Sequence, residues 1–315
     1  MTRHGHGTGW QPKRAAAAHN EMIATRRYAT VAPNRRATRP AYCSRRARWL
    51  FQGGAGTCYT HAAVALEENT ALARGYDAFK NSRRLVAWVA TKTIRDAPDD
   101  NPSDGGSVTD ALRAMTEPLG AGIAHEDLCP YTDDPAVLNE KPPDAVFADA
   151  KRTHLVLPVP VRSKTEMKAL IDAEHPVGIG IPWCDDWDDP ETFQRHMGRV
   201  DPDLGHALLV CGFAEPGVID AEACWYVDNW HADWGEISPD APQGPGMYPP
   251  LPPDLAAKVP GYAPWHPKCD SATWFTDSLF DKIVGLGGCE FVSASDLTGE
   301  AAQLLVPSAV GLLPV

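Results

Sequence analysis

The spacing of apolar positions changes character partway along the chain. Tyr59, Ala62, Ala63 and Leu66 fall at i, i+3, i+4 and i+7, which predicts a helix opening at Cys58 with one apolar stripe. Leu85, Val86, Val89, Ala90 and Ile94 predict a second helix. Ser107 with Asp110 three residues on is a capping-box start for a third, with Val108, Leu112 and Met115 facing inward. Ser163 with Glu166 repeats that signal ahead of Met167, Leu170 and Ile171. Short apolar runs bounded by turn residues then predict strands: 176–181, 207–213 and 223–228, with one or two more at 272–275 and 289–292. The pattern is a helical first half and a β-rich second half, an α+β chain without internal repeats.

Two stretches escape the pattern. Residues 1–40 are rich in Arg, Ala and Pro and have no clear period. Residues 239–267 hold many prolines and predict a long loop inserted between strands, either a surface excursion or a flap over a cleft. Charge sharpens the first stretch. Residues 1–50 hold eleven Lys/Arg against the single acid Glu21, on a chain whose net charge is −12. A basic, solvated leader on an acidic body follows, with organelle targeting or an electrostatic tether as further readings. No interleaved aromatics or docking fold accompany it, so no nucleic-acid partner is expected. No apolar run reaches the roughly 20 residues a membrane helix needs, and no signal-peptide core is visible, so a cytoplasmic setting without membrane contact is expected. The eight cysteines include no CxxC pair, so no structural zinc is expected. Asp185, Asp186, Asp188 and Asp189 beside Trp183 and Trp187 lack calcium-loop spacing and predict a solvated acidic loop. No metal and no cofactor are expected.

Three features carry chemistry. Cys58 follows Gln52-Gly-Gly-Ala-Gly-Thr57 and opens a helix. A helix N-terminus favours thiolate, and the glycine-rich turn leaves backbone donors for an oxyanion, with the Gln52 amide as a second donor. His206, in Leu204-Gly205-His206-Ala207-Leu208, opens a strand and can act as general base and acid, with Gly205 leaving room for substrate. His61, one turn beyond Cys58, is a rival base but is expected to point away from a cleft. Asp228-Asn229-Trp230 ends the next strand, where a carboxylate or amide can orient an imidazole under the shield of an indole. Each feature alone also fits an ordinary buried cysteine, histidine or strand-to-turn corner.

Together they resemble the papain family of cysteine peptidases. Gln52 through Ala62 is similar to its QGxxGSCWAFA segment, Leu204 through Phe213 to its NHAVxxVGY strand, and Val227 through Glu236 to its KNSWGxxWGE segment. Asp104 through Leu112 resembles NGGxxxDAF, Glu126 through Tyr131 resembles EExYPY, and Pro176-Val177 resembles the start of GPVxVAI. The motifs keep family order over roughly residues 43–295.

The resemblance implies a papain-like two-lobe fold: a helical left lobe, an antiparallel β-barrel-like right lobe and the active-site cleft between them. It implies a peptidase domain at 43–300 with lobes at about 43–150 and 151–300. A leader at 1–42, flexible or covering the cleft, precedes the domain, and a tail at 301–315 follows it. It implies hydrolysis of peptide bonds in a peptide or protein substrate by a monomer. Cys58 is the implied nucleophile, His206 the base, and Gln52 an oxyanion donor, while Gly105, Gly106, Gly205 and Trp230 line the substrate path. A gapless match through Trp230 puts the family's orienting residue on Asp228 rather than Asn229. A family disulfide lacks both halves, since Ala55 and Ser103 stand at its positions. Alternatives that share the motif are an amidase or transferase acting on a non-protein amide, and a catalytically retired binding module.

Overall fold

The computed structural model describes residues 11, 36–73, 75, 80–116, 120–150, 156–184, 200–230, 248–267, 269–286 and 289–296. The rest of the leader, the acidic cluster at 185–189, residues 231–247 and the tail lie outside the described residues.

The helical half contains α1 (Cys58–Ala73), α2 (Arg83–Val89), α3 (Val108–Ala114), α4 (Pro135–Asn139) and α5 (Asp144–Ala150). Ser82, Ser107 and Asp134 cap α2, α3 and α4, each side chain accepting a backbone N–H of the first turn. After α2 the chain continues as one π-helical turn, Ala90–Ile94, so the predicted second helix is α-helical to Val89 and π-helical from there to Ile94. Helix α1 is not the one-striped helix its spacing predicts. It is buried on nearly every face, polar residues included. Those polar groups have partners. Thr70 donates to the Leu66 carbonyl, Glu68 takes a bidentate bond from Arg48, and Asn69 accepts the Ala47 N–H. A core helix of this kind needs internal polar satisfaction, and the loop at 46–48 supplies it.

The β-rich half contains β2 (Val156–Pro160), α6 (Lys164–Asp172), β3 (Val177–Cys184), β4 (Val200–Ala214), β5 (Cys224–Asp228), α7 (Pro253–Ala256), β6 (Ala272–Thr276), α8 (Asp277–Gly285) and β7 (Glu290–Asp296). These strands and β1 (Ala41–Cys43) form one seven-stranded sheet of antiparallel pairs, in the order β2-β7-β3-β4-β5-β6, with β1 paired to β4. The sheet is open rather than closed into a barrel. Strand β1 takes in Ala41 and Tyr42, so the last leader residues are part of the sheet, and Thr38 and Arg39 are tied to Asp172.

The sheet is covered on both faces, which is why β4 and β5 read as near-continuous apolar runs instead of alternating ones. Ala207, Leu209, Cys211 and Tyr226 join the core built on α1 and α3. Leu208, Val210, Trp225 and Val227 join a second core with Met167 and Ile171 of α6 and Leu279, Phe280 and Ile283 of α8.

Candidate active site

Cys58 is the first residue of the 16-residue helix α1 and is fully buried. The loop before it is held from several sides. The Gln52 N–H donates to the Trp230 carbonyl (3.0 Å), and the Gln52 side-chain amide donates to the Ala55 carbonyl (2.6 Å). Gly53 has φ +66°, and a Cβ there would lie 2.2 Å from the Asp133 carboxylate, whose oxygen accepts the Gly54 N–H. Where the family disulfide is missing, the Gly56 N–H donates to the Ser103 carbonyl at 3.0 Å, so a backbone bond joins the same two segments.

His206 is buried on β4, its ring edge-on to Trp183 at 4.8 Å between centroids. Its Nε2 lies 2.8 Å from Oδ1 of Asn229. The same Oδ1 accepts the Trp230 backbone N–H at 2.7 Å. A backbone N–H can only donate, so the shared atom is an oxygen, and Nε2 must carry the proton that reaches it. In the neutral ring this leaves Nδ1 as the basic nitrogen. The buried Trp230 indole donates to the Ala207 carbonyl at 2.8 Å and closes this corner.

The residue that orients His206 is therefore Asn229, not Asp228. Register gives the reason. Asp228 pairs with Leu209, and paired residues share a sheet face. His206 lies three positions along β4 from Leu209, an odd step that turns its side chain away from the face Asp228 shares with Leu209, and Asn229, just past the end of β5, meets it there. In the resemblance to the family this requires one deletion before Trp230. The Asp228 carboxylate turns the other way. It accepts the Ser271 hydroxyl and the Asn229 N–H and lies 3.5 Å from the Arg46 guanidinium. Burial pushes the Asp228 carboxyl up, against the pull of Arg46. Arg46 also grips Asp270 at 2.8 and 3.1 Å and the Ala263 carbonyl at 2.6 Å, and Tyr226 donates to Asp270. The part of the proline-rich stretch that is described, 248–267, is thus tied behind the His206–Asn229 corner through Ala263 and through the backbone pairing of Tyr248 with Asp270, and the Arg46–Asp270 pair beside it carries no sequence signal of its own.

His61 does point into the interior. Its Nδ1 lies 2.9 Å from the Thr57 carbonyl, and its Nε2 lies 3.1 Å from an Arg83 nitrogen and 3.1 Å from the Phe51 carbonyl. Burial first, then the Arg83 charge, holds its imidazole well below the ordinary range. The neutral tautomer that fits donates from Nδ1 to Thr57 and accepts from Arg83 at Nε2.

The glycines expected to meet substrate have distinct reasons to be glycine. Gly105 has φ +101°. Gly106 packs its α-carbon on Tyr59, so that an added Cβ would fall 2.8 Å from a ring carbon. Gly205 is buried in β4 opposite Pro182. Gln11 of the leader lies against this edge. Its N–H donates to the Gly106 carbonyl at 3.1 Å, and its side-chain amide donates to the Asp104 carbonyl at 2.6 Å.

The family model for "Papain family cysteine protease" matches residues 41–238. No curated protein matches the chain. Among solved structures, xylellain, a cysteine protease from Xylella fastidiosa, superposes with a TM-score of 0.65 at 16% identity, covering 95% of this chain and 99% of that one. The proform of the ragweed pollen allergen Amb a 11, a cysteine protease, gives 0.57 at 16% identity, with 94% and 70% covered. The cysteine protease and lectin-like domains of Cwp84, a surface-layer-associated protein of Clostridium difficile, give 0.54 at 16% identity, with 95% and 63% covered. At these identities the likeness is one of fold.

Proposed function

Since the chain belongs to the papain family of cysteine proteases, we propose that it hydrolyses peptide bonds with Cys58 as nucleophile and His206 as its proton partner. The observation that carries this reading is the doubly bonded Asn229 oxygen, which fixes the His206 tautomer with Nδ1 as the basic nitrogen. Helix α1 directs its positive end at Cys58, which favours a thiolate. The thiolate attacks the scissile carbonyl carbon, and the charge that develops on its oxygen meets the Cys58 N–H and the Gln52 amide. The imidazolium then gives its proton to the leaving amine as the C–N bond breaks. Water attacks the resulting thioester, His206 takes its proton, and the carboxylic acid leaves as the thiol is restored.

The carbonyls of Asp104 and Gly106 offer acceptors to an extended peptide, and Gln11 uses both. This supports a peptide as the occupant and a leader that competes with substrate for the same edge. The test is cleavage of a peptide library by the purified chain, with Cys58→Ala as control. Cleavage abolished by the substitution is expected. An active Cys58→Ala protein, or none cleaving where a small non-peptide amide is turned over, would overturn the peptidase reading.

A further inference from the structure

The loop from Phe51 to Thr57 carries one supposed oxyanion donor, the Gln52 amide, and leads directly into the other, the N–H of Cys58; one phenol closes it from below. Tyr131 Oη lies 2.6 Å from the Gln52 carbonyl and 2.6 Å from Thr57 Oγ1. A phenol has one proton. It goes to the carbonyl, which can only accept, so the Thr57 hydroxyl must donate to Tyr131. The result is a directed chain, Thr57 O–H to Tyr131 O–H to Gln52 C=O, in which each bond polarises the next. It joins the residue that bears the side-chain donor to the residue immediately before Cys58. Thr57 is fully buried, so its hydroxyl has a strong reason to keep that partner.

The phenol is itself held in place. The Arg83 guanidinium sits over its ring at 4.3 Å, and the His61 ring meets it edge-on at 4.8 Å. Arg83 and His61 in turn bond the carbonyls of Phe51 and Thr57, the two ends of the loop. Two residues past Tyr131, Asp133 accepts the Gly54 N–H in the middle of the loop. One short segment, 131–133, thus contacts the loop at both ends and at its turn.

We propose that Tyr131 is a positioning residue: through the Thr57–Tyr131–Gln52 chain it sets the spacing between the Gln52 amide and the Cys58 N–H, and so the stabilisation of the tetrahedral oxyanion. This inference rests on the peptidase reading above. It acts on acyl transfer, which needs the oxyanion donors, and not on alkylation of Cys58 by iodoacetamide, which does not.

The test compares Tyr131→Phe, Thr57→Val, their double variant and Thr57→Ser, measured for peptide turnover and for the alkylation rate of Cys58. Tyr131→Phe and Thr57→Val should each lower kcat about 10-fold, the loss of one buried hydrogen bond of about 1.4 kcal/mol. KM should stay within about twofold, as expected when only the transition state loses an interaction. The double variant should fall little further than either single one, because both cut the same chain. Thr57→Ser, which keeps the hydroxyl, should retain wild-type kcat, and alkylation rates should stay within about twofold throughout. An unchanged kcat in Tyr131→Phe overturns the inference. So does an equal fall in kcat and in alkylation, which would mark a general loosening of the helix start. A wild-type protein that neither alkylates at Cys58 nor turns over peptide overturns the peptidase reading, and this inference with it.

Discussion

Replacing Asn229 and replacing Asp228 should have opposite consequences, although the residues are neighbours. In Asn229→Ala the His206 Nε2–H loses its acceptor at 2.8 Å, and the Trp230 N–H loses the same oxygen at 2.7 Å. During catalysis the imidazole is positive, and a hydrogen bond to a charged partner contributes about 1.5–3 kcal/mol. The corresponding loss in kcat is about 10–150-fold. KM should change by less than about threefold, since Asn229 is buried behind the histidine. In Asp228→Asn the side-chain oxygen can still accept the Ser271 hydroxyl and the Asn229 N–H. What goes is a charge 3.5 Å from Arg46, and Arg46 keeps its bidentate pair with Asp270. That change should lower stability by about 1–3 kcal/mol while leaving kcat within about threefold. Steady-state kinetics well below the melting temperature, paired with urea unfolding, separates the two. A kcat collapse in Asp228→Asn with near-normal turnover in Asn229→Ala would refute the register argument.

Three further expectations follow from particular contacts. His61 stays neutral when folded, whereas the unfolded chain takes up its proton below about pH 6.5, so this residue costs nothing at neutral pH and opposes folding increasingly as pH falls below about 6.5. His61→Phe should therefore flatten the drop in urea midpoint between pH 7.5 and 5.5, and an unchanged drop would refute the assignment. Removing residues 1–35 should raise kcat/KM several-fold, because Gln11 no longer occupies the Asp104 and Gly106 carbonyls, and a truncated protein no faster than the full chain counts against a competing leader. Gly106→Ala forces a Cβ to within 2.8–3.0 Å of the Tyr59 ring, which is buried and donates to the Pro102 carbonyl, so unfolding should become easier by about 1–3 kcal/mol, with a wild-type melting temperature as the contrary result.

Much of the site was legible because its signals are local. A glycine-rich turn before a helix-opening cysteine, a Gly-His step into an apolar run and an Asp-Asn-Trp corner can each be found within ten residues, although His206 does not open its strand as expected, since β4 already begins at Val200. Helix starts at Ser107 and Ser163 were equally local, since a cap is a contact between residues three apart. The choice between Asp228 and Asn229 was not local. It depends on which residue of β4 stands opposite β5, and a sequence match counts residues without knowing the pleat. The Arg46–Asp270 pair joins residues 224 apart, and the Tyr131–Gln52 bond joins residues 79 apart. No periodicity records such distances. The three-residue β1 is too short to show a period, and the even burial of α1 hid behind an apolar stripe that was real but was only one of its buried faces.

The central claim is that Cys58 is a nucleophile activated by His206. Reaction with a peptidyl epoxide at neutral pH, read by mass spectrometry of the digested protein, tests it most directly. The account predicts one adduct, on Cys58, formed fast in the wild-type protein and at least about 100-fold more slowly in His206→Ala. Labelling spread over other cysteines, or a Cys58 rate indifferent to His206, would contradict it.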